Sequence, residues 1–169
     1  MTRGYQYSFS EKSPGVHNIS QRERKAKTMI AVIGEHIQMP LKELSLLDVG
    51  GSAGVIDHYL ADYFKSVIGI DIDEPAIQHA NKHFTKTNLA FQVGDAMNLG
   101  FDDNTFDVIV CSHVYEHVPS AEKMMAEIYR VLVPGGICFF SGSNRLMWNE
   151  PHYNLPLLSV IPRCLAHLY

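Results

Sequence analysis

The residues best suited to chemistry are two acids and a loop of small side chains. An apolar run ends at Asp48 and is followed by four small residues, Gly50, Gly51, Ser52 and Gly54. Small side chains let a ligand lie directly on the backbone, with amide groups and a helix N-terminus pointing at it. A second acid, Asp71, follows at the end of the next apolar run, where a carboxylate can accept both hydroxyls of a ribose. The pattern predicts a nucleotide-like ligand.

Further polar residues follow the later apolar runs. Asp95 and Ala96 come after the third run, and we expect Asp95 to accept the amino group of an adenine. Ser112 and His113 come after the fourth run. In an open parallel sheet, ligands bind beyond the carboxyl ends of the strands, so all these residues are expected at one rim.

Apolar runs and helical segments alternate along the chain. The runs are short and continuous, as in strands that are covered on both faces. They are predicted at 44–49, 66–71, 89–93, 106–111 and 136–141, with helices at about 53–63, 74–84 and 121–131. Ser20 and Glu23 form a capping box that is expected to begin a helix ending near Pro40. The alternation predicts an α/β, Rossmann-like doubly wound parallel sheet.

Composition sets broad limits on the class of protein. A chain of 169 residues with 46% hydrophobic and 19% charged residues is typical of one globular domain. Three cysteines without a paired pattern, and no basic-then-apolar leader, favour a cytoplasmic protein. Residues 1–42 carry seven Lys/Arg against three Asp/Glu, so this basic arm could contact a membrane surface or an anionic substrate. Residues 43–169 are acidic, which argues against nucleic acid as a partner.

Five segments occur in the order and spacing of a known family. They are Asp48-x-Gly50-x-Ser52-x-Gly54, Gly69-Ile70-Asp71, Gly94-Asp95-Ala96, Phe106-Asp107-Val108-Ile109 and Leu132-Val133-Pro134-Gly135-Gly136. Over about residues 40–145 the chain resembles class I S-adenosylmethionine-dependent methyltransferases, and its later segments are similar to those of ubiquinone-biosynthesis O-methyltransferases and polysaccharide-cluster methyltransferases. The family's loop has a glycine where this chain has Ser52.

The resemblance implies a role for each matching residue. Asp48 would hold the methionine amino group of S-adenosylmethionine, directly or through water, and the loop Gly50–Gly54 would accommodate the methionine portion. Asp71 would bind the ribose and Ile72 would pack on the adenine. Asp95 and Ala96 would contact the adenine edge, and Ser112 would close the methionine end.

The segment His113-x-x-Glu116-His117 supplies the candidate catalytic residues. The resemblance implies that His113 points toward the transferable methyl and either contacts the acceptor or serves as a general base. His117 is the second catalytic candidate in this segment. The same spacing matches an inverted zinc-peptidase pattern, but that site needs a long helix, and Pro119 follows too soon. In the ubiquinone enzymes the corresponding acids and histidine can hold a divalent metal. His113 replaces one of those acids, so no metal is expected.

The C-terminal segment is short for this family. We expect an N-terminal arm and helix over the site at 1–40, a cofactor-binding core at 41–145, and a tail, mostly helical or irregular, at 146–169. The strand order is predicted as 3-2-1-4-5, without the usual sixth and seventh strands. The edge of the fifth strand would then need a cover, such as the tail or a second copy in a homo-oligomer.

The predicted function is methyl transfer from S-adenosylmethionine to a small-molecule acceptor, with an oxygen nucleophile preferred. Two alternatives remain open. One is a non-catalytic or truncated cofactor-binding module, and the other is a nicotinamide-dependent oxidoreductase. Asp48 argues against the second, because it would repel a pyrophosphate in the glycine loop. His17, Arg145, His152 and Tyr153 could line the acceptor pocket, although surface roles are equally consistent with their types.

Overall fold

The fold is built around one parallel sheet. The computed structural model describes residues 7–142, together with the strand backbone at 149–150 and 155–156. The five strands are β1 (Ser45–Val49), β2 (Ser66–Asp71), β3 (Leu89–Val93), β4 (Phe106–Ser112) and β5 (Leu132–Ser141). Their order is β3-β2-β1-β4-β5, and all four pairings are parallel. The predicted α/β class and strand order are confirmed.

Five helices flank the sheet in the described part of the chain. They are α1 (Phe9–Lys12), α2 (Ile19–His36), α3 (Val55–Leu60), α4 (Glu74–His83) and α5 (Ala121–Val131). Short 3-10 turns cover Pro14–His17, Leu41–Glu43 and Tyr115–His117. Helix α5 is capped by Ser120, whose hydroxyl oxygen accepts a hydrogen bond from the amide of Lys123 at 3.3 Å.

The apolar core lies on both faces of the sheet. One cluster joins α2 and α3 to side chains of β1, β2 and β4, with Met29, Ile33 and Phe64 fully buried. The other joins α5 to the opposite face through Met124 and Ile128. Burial on both faces explains why the strands are continuous apolar runs in the sequence.

Three local predictions were wrong in detail. Helix α2 begins at Ile19, and its cap is Asn18, whose side chain accepts the amide of Gln21 at 3.1 Å. Ser20 therefore does not form a capping box with Glu23, which instead pairs with Lys27 at 2.9 Å. Helix α3 is shorter than predicted and ends at Leu60, while β5 begins at Leu132, four residues before its predicted start at Gly136.

The N-terminal segment is attached at the rim of the sheet. The backbone amide of Ser10 donates a 2.7 Å hydrogen bond to Oδ2 of Asp73, which lies just before α4. Asp73 directly precedes α4, but its side chain makes no hydrogen bond to that helix. Its carboxylate instead holds α1 in place, and Val16 of the following 3-10 turn is buried.

The fifth strand lies at an edge of the sheet. Among the described residues, β5 pairs only with β4. Two-residue strands β6 (Asn149–Glu150) and β7 (Leu155–Pro156) pair with each other in a separate antiparallel sheet. The rest of the predicted tail lies outside the described residues, so its structure and a covering partner stay predictions. No helix in the described part of the chain is long and apolar enough to span a membrane.

Candidate functional site

A cavity of about 260 Å³ lies at the carboxyl ends of β1 to β4. The order of the strands in the sheet reverses here, between β1 and β4. The cavity walls come from the N-terminal segment, helix α2 and four strand ends. The lining includes eight of the predicted site residues, namely Gly50, Ser52, Asp71, Ile72, Ala96, Ser112, His113 and His117.

The loop after β1 has the backbone conformation of a ligand cradle. Gly50, Ser52 and Gly54 all have positive φ, at 87°, 53° and 78°. Such values are easily reached by glycine and are costly for other residues. Ser52 therefore holds a left-handed conformation that a glycine at this position would reach more easily. A side chain at Gly50 would also collide with that of Val114, another residue of the cavity lining.

Asp71 at the end of β2 orders this loop. Its Oδ2 accepts the backbone amide of Ser52 at 2.9 Å, and its Oδ1 accepts the amide of Asp73 at 2.9 Å. Burial raises the pKa of Asp71, and these two hydrogen bonds oppose the rise. Each carboxylate oxygen has two lone pairs, so a ligand hydroxyl can be accepted in addition to the amides.

Two loop glycines face the protein interior, outside the cavity lining. A Cβ at Gly54 would lie 2.7 Å from Ala80 of α4 and 2.7 Å from Phe91 of β3. A Cβ at Gly51 would lie 2.6 Å from Oδ2 of Asp57. These glycines allow α3 to pack closely against its neighbours, which places the loop.

A buried pair of carboxyl groups lies beneath the loop. Asp48 of β1 is 3% exposed and Asp57 of α3 is fully buried. Burial raises the pKa of Asp48 to about 7, and burial together with the neighbouring Asp48 raises the pKa of Asp57 well above its usual range. Arg22 of α2 attracts both carboxylates and lines the cavity. Burial of two neighbouring carboxyl groups therefore favours a state in which one of them keeps its proton.

The adenine end differs from the prediction in one placement. Ile72, Gly94 and Ala96 line the cavity. Asp95 does not line it, and its Oδ1 accepts the amide of Met97 at 2.8 Å in a local turn. A contact between Asp95 and adenine stays a prediction.

The histidines lie at the end of β4. His113 lines the cavity in a left-handed conformation with φ of 59°, and its amide donates to the carbonyl oxygen of Ser141 at 2.8 Å. Its Nδ1 lies 3.5 Å from Oε1 of Glu116, whose side chain is only 16% exposed. Ser112 lies beside it, with its hydroxyl 3.1 Å from that of Ser141. A strained backbone at a cavity wall is typical of functional positions.

The zinc-peptidase geometry does not occur. Residues Tyr115–His117 form a single 3-10 turn and not a long helix. Among residues 7–142, no group of three His, Cys, Asp or Glu side chains is arranged to hold a metal ion. His17 packs against His79, with ring centroids 4.5 Å apart, and does not line the described cavity. Arg145, His152 and Tyr153 lie outside the described residues.

Sequence reasoning missed Arg22 and Asp57. Arg22 lies on the face of α2 that carries the buried Ala26, Met29 and Ile33, and a charge on an apolar helical face is a sign of a buried role. Asp57 likewise shares its face with Leu60, three residues later. Phe9 also lines the cavity, and no helical period marks it in the sequence.

Comparisons with known proteins agree with this geometry. Residues 47–140 match the family model described as a methyltransferase domain. The Ubiquinone biosynthesis O-methyltransferase of Coxiella burnetii is 36% identical over 110 residues, which cover 64% of this chain and 47% of the relative. The Sterol 24-C-methyltransferase of Schizosaccharomyces pombe is 34% identical over 97 residues, which cover 54% and 26%. The crystal structure of the PH0226 protein of Pyrococcus horikoshii has a TM-score of 0.67 and 27% identity, covering 81% of this chain and 66% of that one.

The matched region is more than half of the chain. The chain therefore belongs to the methyltransferase domain family of class I S-adenosylmethionine-dependent methyltransferases. It spans about half the length of the curated relatives it matches. S-adenosylmethionine is the cofactor of this family.

The residues of the site fit that cofactor. The positive-φ loop leaves room for the methionine portion, and Asp71 can accept ribose hydroxyls. Three carboxyl groups, those of Asp48, Asp57 and Asp71, lie near one another around the loop, with Arg22 close to the first two. This excess of acid suits the ammonium and sulfonium charges of the cofactor and would disfavour a pyrophosphate.

Proposed function

We propose that this protein transfers a methyl group from S-adenosylmethionine to the oxygen of a small-molecule acceptor. The observation that carries the proposal is a shared cavity. The loop ordered by Asp71 forms one wall, and the histidines after β4 form the other. Cofactor residues and a candidate base thus face the same space, as methyl transfer requires.

Each residue has a defined task in this proposal. When bound, the cofactor supplies a methyl group on a sulfonium, which needs no acid to activate its leaving group. His113 accepts the proton of the acceptor hydroxyl, because its ring lines the cavity and is 46% exposed on its side-chain surface. Glu116 stabilises the imidazolium that forms, since its Oε1 lies 3.5 Å from Nδ1. His117 and Val114 shape the acceptor side of the cavity.

The preference for oxygen rests on a general base at the acceptor wall and on the name of the Coxiella relative. A carbon acceptor is the specific competitor, since another relative is named a C-methyltransferase. The cavity lining also includes Phe9, Val114 and Val118, which suits a partly apolar molecule with one ionisable hydroxyl. We further propose that it acts inside the cell, in line with Cys111 and Cys138, which are free cysteines in the described part of the chain.

The test is a methyl-transfer assay with a panel of phenols, catechols and carbon acids, for wild type and His113→Ala. We expect turnover of a hydroxyl acceptor and a loss of about 100-fold or more in kcat for the variant. Binding of S-adenosylhomocysteine should change little in His113→Ala. Turnover of carbon acids alone would overturn the oxygen assignment. Cofactor binding without turnover of any acceptor would favour a binding module.

A further inference from the structure

Asp57 is the unexplained residue of the site. Its carboxyl is fully buried, and no amide or hydroxyl group of another described residue donates to either of its oxygens. A buried charge in that position is costly unless it is paired or neutralised. Its carboxyl group interacts with that of Asp48. Two carboxyl groups can form a hydrogen bond only when one of them carries a proton.

The surrounding backbone is shaped around the Asp57 side chain. Its Oδ2 occupies the space where a Cβ would lie at Gly51 and at Gly69, at 2.6 Å and 2.8 Å. Gly51 belongs to the cofactor loop, and Gly69 of β2 pairs in register with Asp48. The carboxyl therefore contacts the loop, β1 and β2 at once, directly under the methionine end of the site.

We propose that Asp48 and Asp57 share one proton in the cofactor-free protein and release it when the cofactor ammonium binds at the loop. Asp57 is then a positioning residue for the cofactor, acting through Asp48. This inference rests on the proposed cofactor site. The released proton goes to solvent, no covalent bond other than the carboxyl O–H changes, and the pair gains one negative charge opposite the incoming cation.

The charges around the pair favour this exchange. Arg22 of α2 attracts both carboxylates, and Asp71 of β2 repels them. The Cys111 thiol of β4 also interacts electrostatically with Asp48. Burial raises the pKa of Asp48 to about 7, so the proton is held near neutral pH before binding. A cation at the loop replaces the proton as the partner of the pair.

The test is calorimetric titration with S-adenosylhomocysteine in buffers of different ionisation enthalpy, which measures the protons released. For wild type near neutral pH we expect a net release of up to about one proton per ligand, which falls as the pH rises above the pKa of the pair. Asp57→Asn should release clearly fewer protons than wild type, since its amide can donate to Asp48 without titrating. The exposed Asp102→Asn is the matched control and should behave as wild type.

Adenosine distinguishes this pair from Asp71. It carries the ribose and adenine but no ammonium, so we expect it to release no proton. Equal release with adenosine, or unchanged release in Asp57→Asn, would overturn the proposal.

Infrared spectroscopy of the ligand-free protein tests the shared proton without any ligand. We expect a protonated-carboxyl band near neutral pH that is lost in Asp57→Asn. Absence of that band in wild type would overturn the proposal. Absence of S-adenosylhomocysteine binding, with the band present, would instead count against the proposed function.

Discussion

The backbone amide of Ser52 donates a 2.9 Å hydrogen bond to Oδ2 of Asp71, nineteen residues later in the chain. This bond joins the loop after β1 to the end of β2. Ser52 adopts φ of 53°, so it holds a conformation that glycine would adopt without strain. The acid expected to hold the ribose therefore also holds the loop in shape for the rest of the cofactor.

Ser52→Gly should retain folding and cofactor affinity. The left-handed conformation costs a non-glycine residue about 1–2 kcal/mol, and the extra freedom of glycine in the unfolded chain offsets about 0.5–1 kcal/mol of this. We expect the free energy of unfolding to rise by up to about 1.5 kcal/mol in denaturant titrations. Asn104→Gly, at φ of 55° and away from the cavity, is the matched control for stability. A loss of more than about 1 kcal/mol in Ser52→Gly would contradict this account.

Gly51→Ala should destabilise the protein, and a second substitution at Asp57 should relieve the damage. The added Cβ would lie 2.6 Å from Oδ2 of Asp57. In a double-mutant cycle with Asp57→Ala, we expect a coupling free energy of about 1 kcal/mol or more. Gly34→Ala in α2 is the control, because no atom lies within 4 Å of its added Cβ. Additive effects of the two substitutions would show that residues 51 and 57 do not compete for space.

Asp57→Asn should change the pH dependence of stability. Because burial raises the pKa of both paired acids, the folded protein binds more protons than the unfolded chain above about pH 4. Wild type should therefore lose stability from this pair as the pH rises toward about 7. Across that window the free energy of unfolding of the variant should rise relative to that of wild type, by at most about 1.4 kcal/mol per pH unit.

Denaturant titrations at several pH values, with Asp102→Asn as the exposed control, measure this difference. A constant difference between Asp57→Asn and wild type from about pH 4 to about pH 8 would show that the pair does not titrate in this window.

The residues at the carboxyl ends of the strands were predictable from sequence. The buried polar contacts that support them, made by Asp57 and Asp73, were not. Apolar runs ending in Asp48, Asp71 and Ser112 indicate strand ends, and parallel topology brings such ends together. Asp73 looks like a helix cap because of its position, yet its carboxylate binds Ser10, sixty-three residues away in sequence. Asp57 looks like an ordinary acid in a first helical turn. Contacts of this kind depend on packing between distant segments, which local pattern does not encode.

The same limit applies to backbone conformation. Ser52 and His113 adopt a left-handed backbone conformation at the sharp turns that follow their strands. Neither residue type by itself predicts this conformation. Asp95 shows a different limit, in which one sequence pattern is compatible with two structural roles. A Gly-Asp pair at a strand end is also a turn signal, and the Asp95 carboxylate accepts the amide of Met97.

The central claim is that the loop and Asp71 together form the cofactor site. Its most direct test is calorimetric binding of S-adenosylhomocysteine to wild type, Asp71→Ala and the surface control Asp102→Ala. We predict binding by wild type and by the control, and a fall in affinity of about 100-fold or more in Asp71→Ala, because about two charge-assisted hydrogen bonds are lost. Equal affinity in wild type and Asp71→Ala, or no binding by folded wild type, would contradict the claim.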